Sequence, residues 1–122
     1  MRYRAEKLAS LIQQEVTDIL MNHLRDPVFR QFISITDVRL EADLKKAVVY
    51  FRVFGGDPKE VEKALNKAKG YIKKLLGERL VIKFMPDLEF KVDDSIERER
   101  RLEELFEKIS KKKGENGASG RI

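Results

Sequence analysis

Apolar residues recur at helical spacing from Arg4 to Leu24. Leu8, Leu11, Ile12, Val16, Ile19, Leu20 and Leu24 share one face of a predicted first helix of about five turns. Asp26-Pro27 ends it, because the residue before a proline is pushed out of the helical region, and a connector follows through Val28 and Phe29. The period then changes to two. Ile33 and Ile35 alternate with Ser34 and Thr36, and Val38 and Leu40 continue one residue out of phase, which predicts a first strand with a β-bulge. The polar turn Glu41–Lys45 leads into Ala47–Phe54, β-branched and aromatic almost throughout, and so a second strand at the centre of the sheet.

Gly55-Gly56 breaks that strand. Asp57-Pro58-Lys59-Glu60 then supplies an N-cap, a proline at the first helical position and a capping-box glutamate. Val61, Ala64, Leu65, Ala68, Ile72, Leu75 and Leu76 line one face of this helix, but Gly70 sits near its midpoint. Glycine there costs roughly 1 kcal/mol relative to alanine, so a kinked or broken helix is expected, with a use for the break. After Gly77 a third strand is expected, running through Leu80–Met85 and past Pro86 into the alternating stretch Asp87–Val92. Asp93-Asp94-Ser95 caps a last helix with a narrow stripe of Leu102, Leu105, Phe106 and Ile109, and residues 111–122 read as a disordered basic tail. The order is helix, strand, strand, helix, strand, helix. It predicts an α+β fold in one domain over residues 1–110: a hairpin, a right-handed crossover to a parallel third strand, and helices on one face of a three-stranded mixed sheet.

With 122 residues, 42% of them hydrophobic, the chain can bury one core and not two. Cysteine is absent, which excludes disulfides and thiolate metal sites, and the lone His23 has no imidazole partner. No cofactor or metal is expected. The opening Met1–Lys7 lacks the apolar stretch of a signal peptide, and no run reaches the roughly 18 apolar residues of a membrane span, so a soluble cytoplasmic protein is expected. Neither a phosphate loop nor a dinucleotide fingerprint follows any strand, and no nucleophile stands beside a base. The acidic set Asp87, Glu89, Asp93 and Asp94 is explained by capping and strand-surface charge. The expectation is a protein that is not an enzyme.

Charge changes the picture more. Lysine and arginine total 26 against 21 acidic residues, a net +5 with a pI near 9.5. The excess is local: residues 62–83 hold seven basic side chains against two acidic ones, whereas residues 86–109 are net acidic. Lys63, Lys67, Lys69, Lys73 and Lys74 all fall opposite the apolar stripe of the second helix, around Gly70, where backbone can approach a phosphate closely. Such an array neutralises phosphates and binds in a salt-dependent way with little base information. A solvated helix face accounts for the same residues equally well. On the second strand Tyr50, Arg52 and Phe54 lie opposite Ala47, Val49, Phe51 and Val53, the expected core. Either the aromatic rings stack on bases, or later helices cover them, which is the simpler expectation.

This order of elements resembles a type II KH domain, an RNA-binding fold, except that Ala68-Lys69-Gly70 replaces the Gly-x-x-Gly loop. That replacement is a feature of the ribosome-binding factor A family. Arg2–Ile12, Ile35-Thr36-Asp37-Val38, Asp43–Tyr50, Pro86–Phe90 and Asp93–Ile96 also resemble stretches of that family, and together they span nearly the whole domain. A literal match at Gly114-Glu115-Asn116-Gly117 lies in the expected tail and is set aside. The resemblance implies a bacterial assembly factor that binds late precursors of the 30S ribosomal subunit, assists maturation of the 16S rRNA 5′ end and supports growth in the cold. Ala68, Lys69 and Gly70 would contact RNA as the motif, with Arg2, Arg4, Lys45, Lys46, Lys63, Lys67, Lys73, Lys74, Arg79 and Lys83 as the basic set around it. The implied partners are the 30S subunit and its 16S rRNA, bound by a monomer without small-molecule substrate or membrane. Two other readings stay open: a protein-interaction module using the acidic C-terminal helix or the face of the second strand, and a generic basic RNA binder.

Overall fold

The computed structural model describes residues 4–117. They form α1 (Ala5–Asn22), β1 (Phe32–Leu40), β2 (Lys46–Phe54), α2 (Pro58–Arg79), β3 (Asp87–Val92) and α3 (Ser95–Gly117), with a 3-10 turn at Pro27–Arg30 after α1. One sheet runs in the order β1-β2-β3, antiparallel in the first pair and parallel in the second, as the periodicity predicts. Ala47, Val49 and Phe51 of β2 are completely buried, flanked by Ile35 and Val38 of β1 and by Leu88 and Phe90 of β3. Leu8, Ile12, Val16, Ile19 and Leu20 of α1 and Val61, Leu65, Ile72 and Leu76 of α2 cover that face. Among the described residues no polar or charged side chain is buried, so apolar burial and close packing hold the two layers together.

Two polar devices fix how the layers meet. At the predicted bulge the pairing shifts between Ile35 and Asp37, which lets Ile35 and Val38 both point inward. The Gln13 amide of α1 donates to the Ile35 carbonyl at 3.0 Å, and the Thr36 hydroxyl donates to Asp93 Oδ2 at 2.5 Å. The second device lies along the outer edge of β3, where a further strand would otherwise pair. There Asn66 of α2 donates to the Phe90 carbonyl and accepts from the Phe90 amide, both at 3.0 Å, and Glu62 accepts from the Val92 amide at 2.9 Å. Helix side chains thus satisfy the outward-facing amide and carbonyl of Phe90 and the amide of Val92 and block that part of the edge.

Some expectations need correction. Asp57 caps α2 by accepting from the Lys59 amide at 3.0 Å with Pro58 in the first turn, but Glu60 is exposed and makes no reciprocal bond, so no capping box forms. α2 continues unbroken through Gly70 and Gly77 to Arg79. The segment Leu80–Pro86 is a loop because the pairing of β3 with β2 begins only at Asp87, opposite Lys46, and nothing lies beyond for earlier residues to pair with. α3 runs on through the start of the expected tail to Gly117, since the lysines at 111–113 are good helix formers and no proline intervenes. The Gly114–Gly117 match therefore falls in its last turn, and residues 118–122 lie outside the described residues. Nor does α3 cover the outer face of β2. Its stripe of Leu102, Leu105, Phe106 and Ile109 is exposed, and Tyr50 is flanked instead by Arg39, 6.0 Å from the ring centre. That face is a mesh of ion pairs: Lys46 and Lys91 with Glu89, and Arg52 with Asp93 at 3.7 Å.

Burial alone would raise the pKa of Asp93, but hydrogen bonds from Thr36 and from the Ser95 amide, with Arg52 nearby, hold it at about 2. A depressed carboxylate stabilises the fold above its unfolded pKa and loses that contribution as pH falls through the folded one, here between about pH 4 and pH 2. Asp93→Asn is expected to cost about 2 kcal/mol at pH 7, with the gap from wild type closing as urea unfolding is repeated toward pH 2. Asn66→Ala leaves both Phe90 backbone groups without their partners. A loss of about 1–3 kcal/mol is expected by the same method, and an unchanged midpoint would show that water substitutes for the amide.

Candidate nucleic-acid interface

At 3.6 residues per turn, Lys63, Lys67, Gly70, Lys74 and Gly77 lie within an arc of about 80° on α2, diametrically opposite the buried Val61, Leu65, Ile72 and Leu76. Lys63, Lys67, Gly70 and Lys74 are exposed, and the three lysines make no ion pair among the described residues. Lys69 and Lys73 fall on the neighbouring arc, the side on which Glu62 and Asn66 bond β3. Lys73 donates to Asp87 at 2.5 Å, and this hydrogen bond, with the nearby charges of Lys73 and Lys69, holds the Asp87 carboxyl below its ordinary range. The outermost line of the helix is therefore free cation and bare backbone. A Cβ built at Gly70 would meet nothing within 4 Å, so nothing inside the protein requires a glycine there.

The remaining candidates separate by their partners. Arg79 is not part of that line. It reaches back to α1 and donates to Asp18 at 2.6 Å and Glu15 at 2.9 Å, and its hydrogen bond is the main cause of a lowered Asp18 pKa. Its work is to tie α2 to α1. Lys46 is bound to Glu89 on the outer sheet face, which raises its pKa chiefly through that hydrogen bond. Lys45 is exposed in the β1–β2 turn, its amide donating to Asp43 and its carbonyl accepting from the Asp87 amide at 2.9 Å. That turn carries Leu44 at a positive φ of 59°, a conformation that costs a branched L-residue roughly 1–2 kcal/mol. Lys83 lies in the α2–β3 loop with its ammonium 5.5 Å from the ring centre of Phe84. Arg4 is the exposed N-cap of α1, and Arg2 lies outside the described residues.

Lys45, Lys83, Asp87 and the Lys69–Lys73 side of α2 converge near the start of β3, where the apolar Leu44, Val81, Phe84 and Met85 line a groove. The aromatic pair at the far end of β2 is separate from this region. Phe54 meets Phe32 edge-on at 5.4 Å, and Arg52 is engaged by Asp93 and Ser95. On the other flank of α2, Ala68 faces a second groove together with Tyr71, His23 and Arg25, residues that the periodicity marked only as helix surface or connector. No cluster of three or more metal-binding side chains occurs among the described residues, and no helix there is long and apolar enough to cross a membrane.

The family model for ribosome-binding factor A matches residues 4–106. The chain is 38% identical over 121 residues to the ribosome-binding factor A of Halothermothrix orenii, covering 98% of each protein. It is 42% identical to that of Staphylococcus epidermidis, covering 88% of this chain and 94% of the relative. Its fold resembles the crystal structure of ribosome-binding factor A from Thermus thermophilus, with a TM-score of 0.68 at 22% identity over 73% of this chain and 94% of that one. A homology model of the Thermus thermophilus factor fitted into a cryo-EM map of a 30S complex matches with a TM-score of 0.56 at 25% identity, covering 75% and 92% of the two chains.

The partner assignments make a direct prediction. Arg79→Met is expected to lower the midpoint of urea unfolding by separating α2 from α1 while leaving RNA affinity near wild type, and Lys67→Ala is expected to do the reverse. Equal loss of RNA affinity in both variants would show that Arg79 serves the interface as well as the α1–α2 contact.

Proposed function

The chain belongs to the ribosome-binding factor A family, and from that premise we propose that it is a non-enzymatic assembly factor that binds the small ribosomal subunit through its 16S rRNA. The observation that carries this reading is the outer line of α2. There, among the described residues, Lys63, Lys67 and Lys74 stand without carboxylate partners around the exposed backbone of Gly70, with Lys69 beside them. Unpaired cations on a rigid helix release condensed counterions from a phosphate backbone, and a missing side chain lets that backbone come close. Phosphate contacts of this kind position a protein on RNA without reading bases, so selectivity for the subunit comes from folded RNA shape. Assistance with the 16S rRNA 5′ end, in the cytoplasm, is the finer step we propose for the bound factor, acting by holding RNA and not by cleaving it.

The test is co-sedimentation with 30S particles, 50S particles and protein-free rRNA across a salt series. Selective, salt-sensitive pelleting with 30S particles is expected. The triple variant K67A/K69A/K74A should keep its fold and flatten the slope of log affinity against log salt by about 2–3 units. Equal binding to all three targets would reduce the protein to a generic basic RNA binder, and salt-insensitive binding unaffected by the triple variant would favour a protein-docking module.

A further inference from the structure

Between the C-terminal end of α1, the 3-10 turn at Pro27–Arg30 and α2 lies a groove of about 540 Å³. It flanks α2 on the side away from β3, and its size is that of a cleft for a small ligand, roughly 300–1,000 Å³. α2 lines the groove with Lys67 and Tyr71 at its edges and only the small Ala64 and Ala68 between them, opposite Phe29 and Leu24, which leaves the space open. Tyr71 stands at its side with 49% of its surface exposed and no hydrogen bond from its hydroxyl among the described residues. The rim is cationic. Arg25 and Lys67 make no ion pair among the described residues, and His23 lies 3.8 Å from Asp18. The one carboxylate lining the groove, Asp26, is already accepting the Val28 amide at 3.0 Å.

An exposed aromatic ring beside two free cations, next to small residues that leave room for a planar group, is the arrangement that stacks an unpaired base while holding its phosphate. Lys67 belongs both to this rim and to the outer line of α2, so a strand tracked by the lysines passes the mouth of the groove. We infer that the groove takes a single unpaired nucleotide of the bound RNA, its base against Tyr71 and its phosphate between Arg25 and Lys67. This rests on the RNA-binding reading above and gives it a second component, recognition of an unstacked residue. It also gives Ala68 a role of its own: a larger side chain there fills the space the base would occupy.

The experiment measures affinity of the full chain for two labelled RNA hairpins, identical except that one carries a single-nucleotide bulge, alongside 30S co-sedimentation. Wild type is expected to bind the bulged hairpin about tenfold more tightly than the paired one. Tyr71→Ala should abolish that preference and keep the affinity for the paired hairpin, Tyr71→Phe should retain the preference, and Ala68→Leu should behave like Tyr71→Ala. Equal affinity of wild type for the two hairpins overturns the inference, as does a preference that survives Tyr71→Ala. Failure of wild type to pellet with 30S particles would remove the proposed function but leave the hairpin comparison to be judged by itself. Loss of 30S binding in Tyr71→Ala without any hairpin preference in wild type would assign the groove to a ribosomal protein and overturn the nucleotide reading.

Discussion

The pairing of Asn66 with Phe90 governs how α2 presents itself. A helix packed only by an apolar stripe can rock about its axis with little penalty, because hydrophobic contact is not directional. Two hydrogen bonds from one amide to a strand's backbone, reinforced by Glu62 on Val92, remove that freedom. With that side of α2 committed to β3, Lys63, Lys67 and Lys74 point straight away from the sheet, and Ala64, Ala68 and Tyr71 turn toward α1 and the 3-10 turn. Both the cationic line and the groove beside it follow from this one constraint. The same contacts block the Phe90–Val92 stretch of the outer edge of a parallel strand that would otherwise be open to another chain.

The bulge in β1 plays the corresponding part at the other side of the sheet. An extra residue at Thr36 keeps Ile35 and Val38 both in the core, and its hydroxyl reaches Asp93 just beyond β3. Asp93 also accepts from the Ser95 amide at the start of α3 and faces Arg52 of β2. All three strands and the departure of α3 thus meet at one half-buried carboxylate, whose pKa is held low because hydrogen bonds and the nearby Arg52 satisfy its charge. α3 leaves the domain from that point and turns none of its apolar stripe onto the outer sheet face, which the ion pairs around Glu89 and Asp93 make too polar to receive it.

Electrostatics here works at two ranges. Cations on α2 that have no partner among the described residues act over the Debye length and steer a polyanion, whereas Lys46, Lys73 and Arg79 spend their charge on Glu89, Asp87 and the Glu15–Asp18 pair inside the molecule. A net +5 therefore understates the contrast between α2 and the rest of the surface. In the functional proposal the long-range field brings the RNA and shape chooses where it rests.

Much of this architecture was legible from residue order because the relevant forces are local or periodic. The helical stripe of α1, the alternation of β1 and β2, the phase slip at Thr36, the Asp57-Pro58 start of α2 and the face carrying its lysines all follow from side-chain spacing and backbone sterics. The Ala68-Lys69-Gly70 motif was likewise visible, though not what its alanine does. Pairings between residues far apart in the chain were decided by the tertiary structure alone. That Arg79 belongs to α1, that Asn66 is a surrogate strand and that His23, Arg25 and Tyr71 gather beside Ala68 depend on which surfaces the core packing brings together. A charged or polar side chain looks the same in sequence whether it meets water, a carboxylate or a backbone amide. Burial patterns specify which residues go inward, and only the folded chain assigns the outward ones their partners.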